Sequence, residues 1–295
     1  MTTKKFMQLL PLFSGILWGL TGIFVRNLNG IGLNNIQLTF FRSFFAASGL
    51  IIFFLVTDKK ELKINPKDLW YFFGTGVLSV FSFSVCYFYT LMHSSISVAV
   101  ILSYTAPFFA VILSSILFGE KITPPSVLAL IMATAGCFLL CKTDKNTPIS
   151  PVIIGVGLLS GLSYALYSIF ARFVVEKYPP LVITAYTFVF SSFASAFLID
   201  FGELATAVFS SPSSIFMLIL FAAVSTLMPY ILLTIALKYV KPGKATIMTT
   251  TEVLTASLCG ILFFHEKITA AGILGIILIL TAVVLINIKL SGKEL

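Results

Sequence analysis

Ten stretches of this chain, at about 9–25, 36–56, 69–92, 97–118, 126–142, 152–171, 180–200, 214–237, 244–264 and 270–290, run as apolar segments close to the length that crosses a lipid bilayer. A hydrocarbon core of about 30 Å takes roughly 20 helical residues to span. Inside it, only structures that satisfy every backbone N–H and C=O internally survive, which leaves helices and closed barrels. The segments lack the ten-residue alternation of barrel strands. Hydrophobic residues make up 58% of the chain and charged residues 10%, against the roughly 25% charged that water-soluble domains carry. The reading is an all-α integral membrane protein of ten transmembrane helices, with no soluble domain left over.

The first segment follows Lys4 and Lys5, the pattern of a signal peptide, but no small-residue cleavage site follows it and nine more segments do, so it is read as a retained helix. The four cysteines, Cys86, Cys137, Cys141 and Cys259, lie inside apolar segments with neither CxxC spacing nor a histidine set, which reads as packing. A net charge of +8 would suit a nucleic-acid partner, but its distribution argues for topology. With a cytoplasmic N-terminus, fourteen of the nineteen lysines and arginines fall in inside loops and tails. The positive-inside rule therefore places both termini in the cytoplasm. No nucleic-acid partner is expected, and the surrounding partner is the bilayer of a bacterial inner membrane.

The chain also says the same thing twice. Phe-Gly-Glu-Lys-Ile-Thr at 118–123 returns as Phe-His-Glu-Lys-Ile-Thr at 264–269, and the offset of 146 residues holds along each half. Ser14, Gly15, Leu20, Ile23, Phe24 and Arg26 meet Ser160, Gly161, Leu166, Ile169, Phe170 and Arg172; Ala99, Ile101, Thr105 and Ala110 meet Ala245, Ile247, Thr251 and Ala256. The expected organisation is two repeats, 1–146 and 147–295. Each holds five segments, an odd number, so the second enters the membrane from the opposite side and the repeats are inverted. The repeated motif itself reads as turn chemistry, with Lys121 and Lys267 near helix C-termini and Thr123 and Thr269 placed to N-cap the next helix.

Two inverted halves of nearly equal energy can exchange conformations about a midplane site, the basis of alternating access in secondary carriers. No GxxxxGK[ST] phosphate loop is present, so ATP-driven pumping is not expected. The run SGILWGLTGIF at Ser14 to Phe24, Arg42 within TFFRSFFAA, and SYTAPFFAVILSSILFGEKIT at Ser103 to Thr123 with its second copy resemble the EamA branch of the drug/metabolite transporter superfamily. That resemblance covers essentially the whole chain. It implies a metabolite carrier, in a family that moves amino acids, quaternary amines, sugars and nucleosides. One departure is visible. Family members often carry Glu-Pro in the ninth segment, whereas Glu252 is followed here by Val253, so the sequence does not support a symmetric pair of broken helices.

Glu252 is the sharpest candidate for a site. It lies about 12 Å from the cytoplasmic end of its segment, and an acidic group at that depth is costly enough to suggest function. Its reading as a substrate- or proton-binding group stands against a structural ion pair with Arg42, the charge partner in the second segment. Ser103, Ala106 and Ala110 in the fourth segment align with Thr249, Glu252 and Ala256 in the ninth, and i, i+3, i+7 spacing puts each trio on one helical face. Thr249 and Thr255 add hydroxyls near the carboxylate. Trp18, Tyr104, Tyr164 and Tyr167 are candidate rings for an organic cation, with ordinary packing as the competing role; Tyr87, Tyr89 and His93 rank below them. Pro107 and Pro229 interrupt their helices and are expected to bend them. Gly15 with Gly19 and Gly157 with Gly161 have the spacing that lets helices approach closely.

The expected function is a secondary-active carrier of a small polar metabolite, an amino acid or amine, working without a cofactor or bound metal, with a proton or another ion as the candidate coupling partner. The alternatives are an uptake carrier for quaternary amines or other metabolites, and a membrane protein that binds a lipid or partner without transport. An intramembrane enzyme is disfavoured, because no paired aspartates, metal-ligand motif or Ser/His arrangement occurs at matching depth.

Overall fold

The computed structural model describes residues 3–29, 32–94, 96–140, 150–209, 212–264 and 269–287. Among these the chain is helical between short connections, with no strand. The helices are α1 (Lys5–Val25), α2 (Asn35–Val56), α3 (Pro66–His93), α4 (Val98–Phe118), α5 (Pro124–Leu140), α6 (Pro151–Val174), α7 (Pro180–Ala196), α8 (Phe201–Val208), α9 (Pro212–Ala236), α10 (Pro242–Met248), α11 (Thr251–Phe264) and α12 (Ala270–Asn287). Six of them, α1, α2, α3, α4, α6 and α9, are long and apolar enough to cross a membrane. A seventh span arises if α7 and α8, bent by 115°, count as one; the cores of α5 and α12 are apolar but shorter.

Polar residues at the connections start these helices. Asn34 accepts from the N–H groups of Ile36 and Gln37 while the Gln37 side chain accepts from the Asn34 N–H, a reciprocal cap that opens α2. Ser150 caps α6 and Asp200 caps α8. In the repeated motif, Thr123 accepts from the Ser126 N–H at 3.4 Å, and Thr269 from the Gly272 N–H at 3.1 Å, the expected N-caps. Gly119 ends α4 at φ +64°, a left-handed turn that glycine takes without strain. His265, Glu266 and Lys267 of the second copy lie outside the described residues.

Large apolar side chains face outward as well as inward, and hydroxyls are buried among them. Val56, Met92, Ile116 and Phe197 stand exposed on the outer surface, while Ser14, Ser43, Thr75, Ser84, Thr187 and Ser191 are buried between helices. Such hydroxyls return their protons to helix carbonyls, as Ser84 does to Val80 and Thr187 to Ile183, or bond across helices, as Ser43 does with Ser191 and Thr75 with Thr187. Lipid gives helices no hydrophobic reason to associate, so small residues and interhelical hydrogen bonds hold the bundle. Gly136 lets α5 approach α12: a Cβ there would lie 2.7 Å from the Gly275 carbonyl oxygen.

Segments four and nine are both broken, contrary to the expectation drawn from Val253. α4 is interrupted at Tyr104 and Thr105, and α10 gives way to α11 at Thr249 and Thr250, positions that match at the repeat offset to within a residue. In the first copy Pro107 follows the break and supplies no N–H. In the second, threonines do the same work. The hydroxyls of Thr249, Thr250 and Thr251 bond the carbonyls of Thr246, Ile247 and Met248, three residues back. The Thr250 and Glu252 N–H groups tighten onto Ile247 and Thr249. Ser103 and Thr105 make the equivalent bonds to Val100 and Leu102. Side-chain bonds of this kind compete with the helix ladder and bend it.

Two further irregularities recur at the same offset. α3 widens to a π-helix over Gly74–Phe81 and α9 over Ala223–Leu227, the latter just before Pro229. Wide turns of this kind occur mostly as local interruptions near functional sites. Helix α1 rests on the α10/α11 break as α6 rests on the α4 break. A Cβ on Gly15 would overlap Thr251 Oγ1, and one on Gly161 would overlap Thr105 Oγ1, its repeat counterpart.

Candidate functional site

The breaks and wide turns surround a cavity of about 360 Å³. Its wall comes from the later part of α1, the first half of α2, the later part of α3, the start of α4, Tyr164 on α6, and Phe221 and Tyr230 on α9, with Glu252, Val253 and Ala256 on α11. Two ionisable side chains of opposite charge face it, Arg42 and Glu252.

Glu252 sits in the first turn of α11, at the foot of the break, so helix geometry aims it inward rather than along a continuous lipid-facing helix. The Tyr164 hydroxyl donates to Glu252 Oε2 at 3.1 Å, and the buried Tyr104 lines the cavity beside it. Arg42 donates from Nη2 to the Ser84 hydroxyl at 3.3 Å, and among the described residues its buried Nε has no hydrogen-bond partner, nor has the buried Asn35 Oδ1 on the same wall. The ion pairs among the described residues are Arg172–Glu176 and Lys177–Asp68. Arg42 and Glu252 do not form one. Their charges act on each other across the cavity, each held locally by a neutral hydroxyl.

Aromatic rings complete the wall. Trp18 meets Tyr164 edge-on at 6.0 Å and Tyr230 at 5.0 Å, and Phe83 bridges Tyr164 and Tyr87 at 5.5 Å to each. The edge-on contacts of Trp18 orient the Tyr164 and Tyr230 rings.

The sequence-derived candidates separate cleanly. Trp18, Arg42, Ser103, Tyr104, Tyr164 and Glu252 line the cavity. Thr249, Thr255 and Tyr167 do not. Thr249 and Thr255 bond back to the carbonyls of Thr246 and Thr251, and Tyr167, 2% exposed, bonds Thr234 in the packed layer beyond the cavity. The common-face rule assumed unbroken helices: with α4 and the α10/α11 pair interrupted, Ala106 and Ala110 are buried away from the cavity that Ser103 lines. Pro107 and Pro229 sit at the second position of the helical stretch after an interruption and shape the wall without lining it. Tyr230, Asn35, Thr39, Ser79 and Ser84 also line the cavity; only the neighbouring Pro229 hinted at Tyr230. His93 stacks on Tyr89 near the end of α3, outside the lining.

The opposite side of the bundle is closed. Beyond Trp18 and Tyr230, the buried side chains of Tyr167, Leu233, Leu237 and Met248 pack together. A polar layer follows: Arg172 donates to the Leu237 carbonyl at 2.7 Å, and Asp68 accepts from Lys177 at 3.1 Å and Tyr178 at 2.8 Å. The hydrogen bond to Asp68 holds the Lys177 ammonium above the usual lysine range.

Replacing Tyr164 by Phe removes the hydroxyl that orients Glu252 while keeping the ring against Trp18. If Glu252 holds a solute, the expected result is a loss on the order of 10- to 100-fold in apparent affinity, the worth of one hydrogen bond to a charged group. Unchanged affinity in a concentration series would remove Tyr164 from the site.

The profile of the EamA-like transporter family matches residues 5–141 and again 151–288. Among curated relatives, an uncharacterized transporter of Archaeoglobus fulgidus is 28% identical over 277 residues, covering 92% of this chain and 93% of its own. The uncharacterized inner membrane transporter YicL of Salmonella typhimurium is 24% identical, covering 97% and 96%. The pseudopaline exporter CntI of Pseudomonas aeruginosa is 28% identical over 141 residues, 46% of this chain and 48% of its own. A solved crystal structure shares the fold with a TM-score of 0.78 at 16% identity, covering 95% of this chain and 96% of that one.

Proposed function

The chain belongs to the EamA-like transporter family, a multi-pass membrane protein of transporter kind, and from that premise we propose that it is a secondary carrier moving an amino acid or amine by alternating access. The observation that carries this reading is the Glu252 carboxylate, placed by a helix break inside a cavity closed at one end. A carboxylate so enclosed needs a partner, and a solute cation supplies one.

Ten spans in two inverted repeats form the proposed machine. The reading draws support from the two family matches, from breaks and wide turns at equivalent positions, and from the pairing of α2 with α7 and of α5 with α12, the second and fifth segments with their counterparts. With both termini cytoplasmic, the cavity faces outward and the Asp68–Lys177 layer seals the inner side. Exchange of the two halves' conformations would open that layer and close the wall around Arg42.

Purified protein in proteoliposomes should accumulate at least one labelled amino acid or amine from a broad metabolite panel under a proton or sodium gradient. Failure of the entire panel would favour a lipid- or partner-binding role instead. Orientation has its own check. In a cysteine-free background, single cysteines at Lys59 and Lys241 should react only with reagents that reach the cytoplasm; labelling of either from outside whole cells would reverse the topology.

A further inference from the structure

We propose that the cavity recognises a zwitterion at two points, its anionic group on Arg42 and its ammonium on Glu252. This deepens, and rests on, the transport reading of the same site.

The inference starts from how the two charges are kept apart. Opposite charges inside one small cavity normally find each other, because each is expensive to hold alone away from water. Here Arg42 and Glu252 face the same 360 Å³ space without forming an ion pair. Each is instead held by an uncharged group on a different helix, Arg42 by Ser84 of α3 and Glu252 by Tyr164 of α6. Neutral hydroxyls orient a charge without neutralising it. The guanidinium also keeps unused capacity, since its buried Nε has no partner among the described residues. A planar fork with free donors suits a carboxylate, which it binds through two parallel hydrogen bonds.

At the other end the arrangement favours a cation. The Glu252 carboxylate is flanked by Tyr104, Tyr164 and, behind Tyr164, Trp18. An ammonium seated there has a full counter-charge and ring faces to lie against. The wall between the two ends is mostly apolar, with Val80, Phe83, Val100 and Val253 among its residues, so the solute's remaining part is a compact apolar side chain. A solute carrying one charge leaves the other protein charge without a partner; a zwitterion satisfies both. Specificity of this kind works by rejection, because a site built to pair a group penalises the analogue that lacks it.

The test compares three matched solutes in proteoliposomes holding the full chain: L-leucine, isoamylamine, which lacks the carboxylate, and 4-methylpentanoate, which lacks the ammonium. Sugars, nucleosides and other amino acids run in parallel. Leucine, or another apolar zwitterion of the panel, is expected to be taken up with an apparent affinity roughly tenfold or more above its two matched analogues. Arg42→Gln should narrow the preference for the zwitterion over the amine, and Glu252→Gln the preference over the carboxylate. Arg42→Lys, which keeps the charge but loses the fork, should retain part of the first preference and guards against misfolding of the Gln variant. If the amine moves as well as the zwitterion in the unmutated protein, or only non-zwitterions move, the two-point inference is overturned while the carrier stands. If nothing moves, both fall.

Discussion

Glu252→Gln is expected to lower the apparent affinity for the transported solute on the order of 10- to 100-fold, as for a lost charge-assisted hydrogen bond, so that uptake is weak at substrate concentrations that serve the unmutated protein and measurable only at higher ones. The substitution keeps the side chain's shape and its ability to accept from Tyr164, so the helix break and the aromatic wall should persist. A loss of function without loss of folding separates recognition from architecture. The same variant decides between the two readings of the Arg42 relationship. If the carboxylate existed to neutralise Arg42, removing both charges in the Arg42→Gln/Glu252→Gln double variant would restore activity. Arg42 is held by Ser84 and does not touch Glu252, so no restoration is expected. Full transport by Glu252→Gln, or recovery in the double variant, would return Glu252 to a structural role. Uptake in proteoliposomes, beside the thermal unfolding temperature of each purified variant, reads both outcomes.

Gly15→Val and Gly161→Val are expected to be the most damaging changes to the bundle itself. At each position a Cβ would overlap a threonine hydroxyl, and it would sit 2.6 Å from the Thr249 carbonyl oxygen at Gly15 and 2.9 Å from the Leu102 carbonyl oxygen at Gly161. A side chain can rotate away; the backbone beside a helix break cannot. Overpacking in a well-packed core typically costs about 1–3 kcal/mol, and a backbone obstacle puts these two at or above the upper end. Gly49→Val and Gly155→Val are matched controls, because nothing lies within 4 Å of a Cβ at either site. In detergent, the Gly15 and Gly161 variants should unfold at clearly lower temperature or fail to purify as a single species, while the controls stay close to the parent. Equal behaviour of all four would mean that the close crossing of α1 and α6 over the broken helices does not hold the bundle together.

These two expectations draw on different kinds of legibility. The apolar segments, the offset of 146 and the isolation of Glu252 are visible in the sequence because each depends on composition or spacing, which lipid and duplication impose directly. The small-residue spacing of Gly15 and Gly161 was readable for the same reason. What the sequence hid is what happens where the helices stop being regular. Val253 in place of proline suggested an unbroken ninth segment, yet three consecutive threonines turn their hydroxyls onto the preceding turn and break it. That break also explains why some of the expected residues lie off the cavity. Thr249 shares a face with Glu252 only on a continuous helix, and Tyr167 shares a helix with Tyr164 but points to Thr234 in the closed half. Tyr230 carried no signal of its own, since one tyrosine among many rings looks like packing until Trp18 is seen against it.

Access to the cavity from both sides of the membrane is the most direct test of the account. Ala256 lines the cavity and is exposed within it, so a single cysteine there, in an otherwise cysteine-free protein, reports which face reaches the site. A membrane-impermeant thiol reagent applied to right-side-out and to inside-out vesicles should label it from either face, and a transported solute should slow both reactions. Labelling from one face only, unaltered by any transported solute, would contradict alternating access through this cavity.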